Sequence, residues 1–216
     1  MRAGEPLILW DWTFNHLPDI LRRVQEHLIL TGIAVGIGFV IAFVLSIGIR
    51  QVPALYAPVT WVAGVLYSIP SLALFSLLIP FTGLSIATAE IGLVSYTLLI
   101  LVRNIVGGIR SVPADVRESA IGMGYSQWQL LWRIELPLGL AVIVAGVRVA
   151  LVTTIGLVTV TGVIGQGGLG ALIMLGIQQF FATPLVIGAL LSIALAVILD
   201  GLLVALQRRV TPWTRA

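Results

Sequence analysis

The sequence predicts an all-α membrane protein with five transmembrane helices and a pair of short helices in one aqueous loop. Three observations lead to this fold. The chain of 216 residues is 59% hydrophobic and only 10% charged, with a mean hydropathy of +1.10, whereas soluble domains are about a quarter charged. Its apolar residues form blocks of membrane-spanning length, and one polar island separates them. Lipid cannot hydrogen-bond backbone groups, so such blocks must be helical.

Long apolar stretches, with few charged residues in them, define the five spans in chain order. We place them at about residues 28–49, 55–79, 90–109, 138–160 and 185–206. The first carries no charge over Leu28–Ile49, which matches the roughly 20 residues that a spanning helix needs. Pro70, flanked by Ser68 and Ser71, interrupts the second. Proline frees a backbone carbonyl that hydroxyl groups can satisfy, so this segment is expected either to kink or to line the transport pathway.

One permease-sized domain, residues 28–207, contains all the spans, with residues 1–27 before it and a tail at 208–216. The leading segment mixes arginines with acids and lacks a signal-peptide cleavage pattern. Its apolar residues recur at helical spacing, at Leu17, Ile20, Leu21, Val24 and Leu28. We therefore expect a separate amphipathic helix that lies at the membrane surface.

The polar island, residues 110–137, contains the most specific local signals. It predicts two short helices joined by a turn at Gly124. Ser126 and Gln129 have the spacing of a capping box that starts the second helix, and Pro137 is expected to end that helix. A helix–glycine–helix knob on an aqueous face can dock into a groove on another protein.

Six residues of the island keep a fixed spacing, namely Glu118, Ala120, Gly124, Ile134, Leu136 and Pro137. The spacing resembles the "EAA" coupling loop of ABC-transporter permeases, with Ser119 as a small-for-small departure at the second position. The similarity continues in the runs 102–104, 107–113, 145–148 and 165–170, over about residues 20–212 altogether. Across that length the chain resembles the osmoprotectant branch, whose members import glycine betaine, choline, carnitine or related quaternary amines. Ala141 stands where many relatives have a second proline.

The resemblance implies a transport subunit of the bacterial inner membrane that has no catalytic activity of its own. It implies two ABC ATPase subunits that bind the ATP, so this chain needs no cofactor. It also implies an extracytoplasmic substrate-binding protein and a second permease copy or paralogue, with the substrate moving along the permease interface. The six loop residues are then expected to couple the permease to the ATPase.

The distribution of arginine predicts the orientation. One side of a five-span topology holds Arg50, Arg110, Arg117, Arg133, Arg208, Arg209 and Arg215, whereas the other holds only Arg2, Arg22 and Arg23, offset by four acids. Cytoplasmic loops carry the excess of basic residues. The coupling loop and the C-terminus are therefore expected in the cytoplasm, and the N-terminus outside.

Composition excludes several other classes of function. There is no cysteine, so disulfides and thiolate metal sites are ruled out, and no other metal site is expected. All twelve basic residues are arginine, which excludes the lysine-bearing phosphate loop of P-loop ATPases. His16 and His27 both precede the first span, where they cannot ligate a haem within the bundle. No basic stripe suggests nucleic-acid binding, and no nucleophile–base arrangement suggests catalysis.

A glycine run between the fourth and fifth spans has three interpretations. Gly165, Gly167 and Gly170 fit the dinucleotide fingerprint literally, but no strand precedes them and no acidic residue follows at the required distance. A flexible external loop is the second interpretation. The third includes Gly168 and is a tightly packed, partly re-entrant turn beside the transport pathway, because glycine lets backbones approach closely.

Besides Glu90 at the start of the third span, three charged residues lie within the spans: Arg103, Arg148 and Asp200. One interpretation is that all three serve only packing and anchoring, with Arg103 and Asp200 near enough to a cytoplasmic end for their side chains to reach the interface. Alternatively, Asp200 pairs across helices with Arg103 or Arg148, since an unpaired charge in the membrane is costly.

Two further classes of function stay open at this point. Within the importer class, a methionine or other amino-acid permease is the nearest alternative. A secondary transporter without ATP is the rival class, but it should show paired broken helices in two inverted halves, which five unequal spans fit poorly. A purely structural scaffold is disfavoured by the proline, serine and glycine within the spans.

Overall fold

The structure is a computed structural model that describes residues 7–212, which form helices and turns without a strand. The α-helices in chain order are α1 (Trp10–Asn15), α2 (Leu17–Gln51), α3 (Tyr56–Ser68), α4 (Ser71–Thr82), α5 (Ile86–Arg110), α6 (Ala114–Gly122), α7 (Gln127–Leu130), α8 (Leu136–Thr161), α9 (Gly168–Gln178) and α10 (Ala182–Val210). Among the described residues, four helices are long and apolar enough to cross a membrane, or five if the bent pair of α3 and α4 counts as one span.

Helix α2 corrects the expectation of a separate surface helix before the first span. It is one helix of 35 residues from Leu17 to Gln51, about 52 Å long at 1.5 Å per residue. No proline interrupts it after its first turn. Its leading turns pack on protein, because Ile20 is buried with Leu169, Leu172 and Ile187 of α9 and α10. Residues 1–6, Arg2 among them, lie outside the described part of the chain.

The second predicted span is divided into α3 and α4. The two helices are bent by 97° at the break, which is far sharper than the kink considered above. Pro70 ends the first helix because the residue before proline is disfavoured in the helical region, and Ile69 is extended with ψ 129°.

Helices α5 and α8 form the centre of the bundle and cross at glycines. A Cβ on Gly139 would lie 2.4 Å from Gly108 O, and a Cβ on Gly146 would lie 2.2 Å from Asn104 Cβ. The missing side chains let the two helix backbones approach closely. Around this crossing lies a core cluster that includes Leu101, Val102, Ile105, Leu131 and Ile143.

Helix α9 fills the interval between the predicted fourth and fifth spans. Its eleven residues, Gly168–Gln178, are too few to cross a bilayer, and they pack against α10 across Gly176 and Gly188. Helix α10 continues to Val210, so Arg208 and Arg209 belong to its last turn rather than to a separate tail. Residues 213–216, including Arg215, are outside the described range.

Candidate functional site

The polar island folds into a helical knob, which we define as residues 114–130. Gly124, with φ +83°, forms the turn between α6 and α7. Gly124 N donates to Ile121 O at 2.9 Å and Tyr125 N donates to Ala120 O at 3.1 Å, which is the Schellman pattern of a helix end. Residues other than glycine rarely adopt this φ. The predicted glycine turn is present.

Helix α7 begins with the predicted capping box. Gln129 N donates to Ser126 Oγ at 3.3 Å, and Ser126 N donates to Gln129 Oε1 at 2.8 Å. The expectation that Pro137 ends this helix is wrong, because helical structure runs from Gln127 to Ile164. A π-turn at Leu131–Glu135 directly precedes α8. We attribute the continuity to this wider turn, which leaves space for the proline ring that an ordinary α-turn would not provide.

The surface of the knob is apolar at three positions. Ile121, Met123 and Trp128 are 52%, 69% and 55% exposed, and Glu118 is also exposed. Large apolar side chains exposed on an otherwise polar segment are typical of a protein-binding surface. We call the surface made by these four residues the docking face.

Ala120 does not belong to the docking face, which corrects the expectation that it meets a partner. It is completely buried within this chain, so its methyl group sets how closely α6 lies on the bundle. Ile134, Leu136 and Pro137 are half-buried where α8 begins. Of the six motif residues, Glu118 and Gly124 are therefore the exposed ones.

A buried ion cluster, which the sequence analysis missed, attaches the knob to the bundle. The Glu135 side chain is 3% exposed; its Oε2 accepts from Arg50 Nε at 2.5 Å, and its Oε1 lies 3.6 Å from Arg117 Nε. Arg50 lies in the last turn of α2, Arg117 lies on α6 and Glu135 ends the π-turn. The only sequence signal was an acid between Ile134 and Leu136, inside an apolar stretch.

Backbone contacts extend the same cluster to the other helix ends. Arg50 Nη2 donates to Gln127 O at 3.1 Å and to Gln127 Oε1 at 3.2 Å. An Arg117 Nη2 group donates to Ile109 O, close to the end of α5. The knob is thus connected to α2 and α5 through charged groups, which form stronger hydrogen bonds than neutral ones.

A second ion pair joins α8 to α10. Arg148 donates from Nε and Nη2 to the two oxygens of Asp200 at 2.8 and 2.9 Å. Arg148 Nη1 also donates to Gln207 Oε1 at 3.4 Å, and Gln207 Nε2 donates to Ala141 O at 3.2 Å. Of the two candidate partners, the geometry brings Arg148 to Asp200. Arg103 is exposed and forms no ion pair with the described residues.

The break between α3 and α4 lies near the middle of the membrane. Tyr96 OH donates to Ile69 O at the break. Tyr96 is about 15 Å from the start of α5 and about 21 Å from its end, counting 1.5 Å per residue. Ser68 and Pro70 are exposed there and Ser71 is half-buried. Exposed non-helical backbone at this depth is tolerated against protein or a water-filled cavity, and not against lipid.

The glycine run forms a packed turn at the end of the bundle opposite the knob. Gly165, Gly167 and Gly168 have φ of +76°, +50° and +66°, and a Cβ on Gly170 would lie 2.1 Å from Thr159 O. The preceding segment is a 3-10 turn after α8, at Gly162–Ile164, so the strand that a dinucleotide fingerprint requires does not precede it.

Two side chains of α2 hold this turn. Gly168 N donates to Glu26 Oε2 at 3.1 Å, and Leu169 N donates to His27 Nδ1 at 3.3 Å. Because Nδ1 accepts that bond, Nε2 carries the proton and donates to Ile155 O at 3.1 Å. His27 is fully buried, and this neutral tautomer satisfies both of its ring nitrogens.

Comparison with known proteins places these features in a family context. Residues 34–212 match the family described as "Binding-protein-dependent transport system inner membrane component". The osmoprotectant import permease protein OsmW of Salmonella typhimurium is 39% identical over 192 residues, which cover 87% of this chain and 89% of that protein. The glycine betaine/carnitine/choline transport system permease protein OpuCB of Bacillus subtilis is 31% identical, with coverages of 90% and 89%.

Two solved structures are similar in fold. A chain of the MetNI methionine ABC transporter in an inward-facing conformation has a TM-score of 0.80 at 22% identity, covering 91% of this chain and 98% of that one. A chain of an amino acid ABC transporter solved with histidines has a TM-score of 0.74 at 18% identity, with coverages of 94% and 99%. At these identities the likeness concerns the fold alone.

Proposed function

The chain belongs to the family of binding-protein-dependent transport system inner membrane components, and we propose that it imports quaternary-amine osmoprotectants such as glycine betaine, carnitine or choline. It is a multi-pass permease of the inner membrane, a non-enzymatic transport component that works with ATPase and substrate-binding-protein partners. The substrate class rests on the relatives that are named for these compounds.

The docking face of the knob is the observation that carries the coupling proposal. Met123 at its tip is 69% exposed, and the knob projects from the end of the bundle where α2 and α5 terminate. In our proposal an ABC ATPase subunit binds this face and supplies the ATP hydrolysis. Its movement passes from Arg117 on α6 through Glu135 to Arg50 on α2, and through the hydrogen bond from Arg117 to Ile109 O it reaches α5.

The substrate passes along a surface shared with a second permease copy or paralogue. The exposed break at Ser68–Ser71 supports this assignment, because its non-helical backbone needs protein or water beside it. The glycine turn at 165–170 lies at the opposite end from the knob, where the binding protein would deliver the substrate. The full assembly would then contain two permeases, two ATPases and one binding protein.

The orientation is part of the same proposal. Arg50, Arg110, Arg117, Arg133, Arg208 and Arg209 lie at the knob end, whereas Arg22 and Arg23 at the other end are paired with Glu26. This asymmetry supports a cytoplasmic knob and C-terminus with the N-terminus outside. ATP would bind to the partner subunits, and this chain would hold no cofactor.

A methionine or other amino-acid importer is the second candidate function. The fold neighbours transport such substrates by name, although their identity to this chain is low. The similarity to osmoprotectant permeases is higher, which favours a quaternary amine.

Uptake by reconstituted proteoliposomes tests the proposal. The permease, with its ATPase and binding protein, should accumulate radiolabelled glycine betaine, choline or carnitine only when ATP is enclosed with the ATPase. Methionine serves as the competing substrate. Uptake of methionine without any quaternary amine would refute the substrate class, and uptake without ATP would refute the mechanism.

A further inference from the structure

Two cavities follow one another along α2, α3 and α5. The first is a groove of about 330 Å³ lined only by apolar side chains, among them Leu45, Leu55, Val62 and Val102. The second, of about 150 Å³, is lined by Arg50, Arg110 and Arg117 together with Ser46, Pro53 and Val106. Leu45 and Ser46 are consecutive on α2, and Val102 and Val106 are one turn apart on α5. The apolar groove and the arginine-lined cavity are therefore neighbours along α2 and α5.

The arginine-lined cavity has an excess of positive charge. Glu135 is the acid that pairs with its arginines, with Arg50 at 2.5 Å and Arg117 at 3.6 Å. Three guanidinium groups against one carboxylate leave a net charge of 3 − 1 = +2. Arg110 has no carboxylate partner among the described residues, and its guanidinium lies 4.8 Å from the centre of the Tyr56 ring.

Arg117 also has an unsatisfied donor at this cavity. Its Nε is buried and makes no hydrogen bond, because 3.6 Å to Glu135 is too long for one. A buried donor without an acceptor is costly. This Nε thus has a carboxylate nearby but no acceptor at hydrogen-bond distance, and guanidinium forks are suited to phosphate oxygens.

We propose that an anionic phospholipid of the cytoplasmic leaflet binds here, with its phosphate at Arg110 and Arg117 and one acyl chain in the apolar groove. The depth supports a lipid: the basic cavity is at the knob ends of α2 and α5, where Tyr56 has the interfacial position typical of tyrosine. Basic pockets between transmembrane helices on the cytoplasmic side bind anionic headgroups. The assignment to the cytoplasmic leaflet rests on the orientation proposed above.

Such a lipid would act on the attachment of the knob. Its phosphate would share Arg117 with Glu135, the same arginine that connects α6 to the ion cluster. A free anion could use the arginines as well, but it would leave the adjoining apolar groove empty.

Lipid retention by the purified full-length permease complex tests the site. The complex would first be delipidated and then titrated with phosphatidylglycerol or phosphatidylcholine. Native mass spectrometry would count the molecules of each lipid that remain bound. We expect selective binding of phosphatidylglycerol, weakened about fivefold by Arg110→Gln, since each basic residue near anionic lipid contributes about that factor. Arg133→Gln, which removes an exposed arginine at the same end outside the cavity, should leave binding unchanged.

A second variant separates a lipid from a free anion and protects the test against misfolding. Val62→Trp fills the mouth of the groove without removing a charge. Because Val62 is largely exposed, the larger side chain should not disturb folding. It should weaken phosphatidylglycerol binding while Arg110 is intact. The proposal would be overturned if the wild type bound the two lipids equally, or if neither variant lost phosphatidylglycerol. It would also be overturned if inorganic phosphate displaced phosphatidylglycerol equally well from the wild type and from Val62→Trp. Failure of this test would leave quaternary-amine uptake, measured as above, unaffected.

Discussion

Glu135 is the one acidic residue that is fully buried between residues 7 and 212. Two arginines from different elements, Arg50 and Arg117, compensate its charge. A buried carboxylate without such partners would be very costly, whereas a compensated one is tolerated and fixes geometry. The position of the knob relative to α2 therefore depends on this residue.

Replacement of Glu135 by glutamine should destabilise the permease. The change leaves Arg50, whose side chain is 14% exposed, without a counter-charge. We expect a loss of about 3 kcal/mol in the free energy of unfolding, the low end for a broken buried pair, measured by denaturant titration in mixed micelles. Asp115→Asn removes an exposed acid from the same knob and should cost almost nothing. Equal effects of the two changes would show that the cluster contributes nothing specific.

The pair Arg148–Asp200 should behave as a coupled unit. Asp200→Asn and Arg148→Gln are each expected to lower the melting temperature by several degrees, because the remaining charge is poorly solvated in the membrane. The double variant should recover part of the loss in a double-mutant cycle. Arg103→Gln, combined with Asp200→Asn, should show no coupling. Additive losses for Arg148 and Asp200 would mean that each side chain only reaches the interface on its own.

The sequence could name these charged residues but could not pair them. Arg103 and Arg148 were equal candidates for Asp200, since the choice depends on which face of each helix points inward. Glu135 escaped notice because its partners are 85 and 18 positions away along the chain. Ala120 was assigned to the docking face because a motif position does not reveal burial.

At the scale of elements, the crossing of α5 and α8 depends on glycine at one position and not at its neighbour. A Cβ on Gly108 would lie 2.8 Å from Gly139 O and from Ile143 Cγ1, whereas a Cβ on Gly107 would have its nearest contact at 4.0 Å. Gly107 and Gly108 lie in the same helix, so alanine at either position gains the same amount in helix propensity. The pair is therefore a matched test of close helix packing.

Gly108→Ala should lower stability by about 1–3 kcal/mol, as expected for overpacking. Gly107→Ala should be neutral or stabilising, because alanine is a better helix former by up to about 1 kcal/mol. Thermal unfolding of the two purified variants measures the difference. Equal stability of the two variants would contradict the crossing.

The sequence predicted helices where apolar blocks are long, and it missed elements defined by tertiary contacts. The broken second span was visible in Pro70, although its 97° bend was not. Helix α9 was missed because its eleven residues are too few for a membrane span, and it packs against α10 across Gly176 and Gly188. The separate surface helix was inferred from apolar residues at helical spacing between Leu17 and Leu28, and these residues in fact form the first turns of α2, where Ile20 is buried against α9 and α10.

On the scale of the whole molecule, one end of the bundle carries the knob and the other carries the glycine turn, with the exposed break of the second span between them. Our proposal needs this arrangement, with the binding protein at the glycine-turn end and the ATPase at the knob end. In our account, force enters at the docking face, passes Glu135 and reaches α2 and α5. The turn at Gly124 sets the angle between the two knob helices and therefore the shape of the docking face.

Substrate-stimulated ATP hydrolysis by reconstituted complexes with changes at Gly124 tests this coupling most directly. Gly124→Val puts a β-branched residue at φ +83°, a strain of about 1–3 kcal/mol, whereas Gly124→Asn is tolerated because asparagine enters the left-handed region. Both variants should insert into the membrane normally. We predict that Gly124→Asn keeps most of the stimulation and that Gly124→Val loses it at least tenfold. Full stimulation in correctly inserted Gly124→Val complexes would contradict the role of the knob.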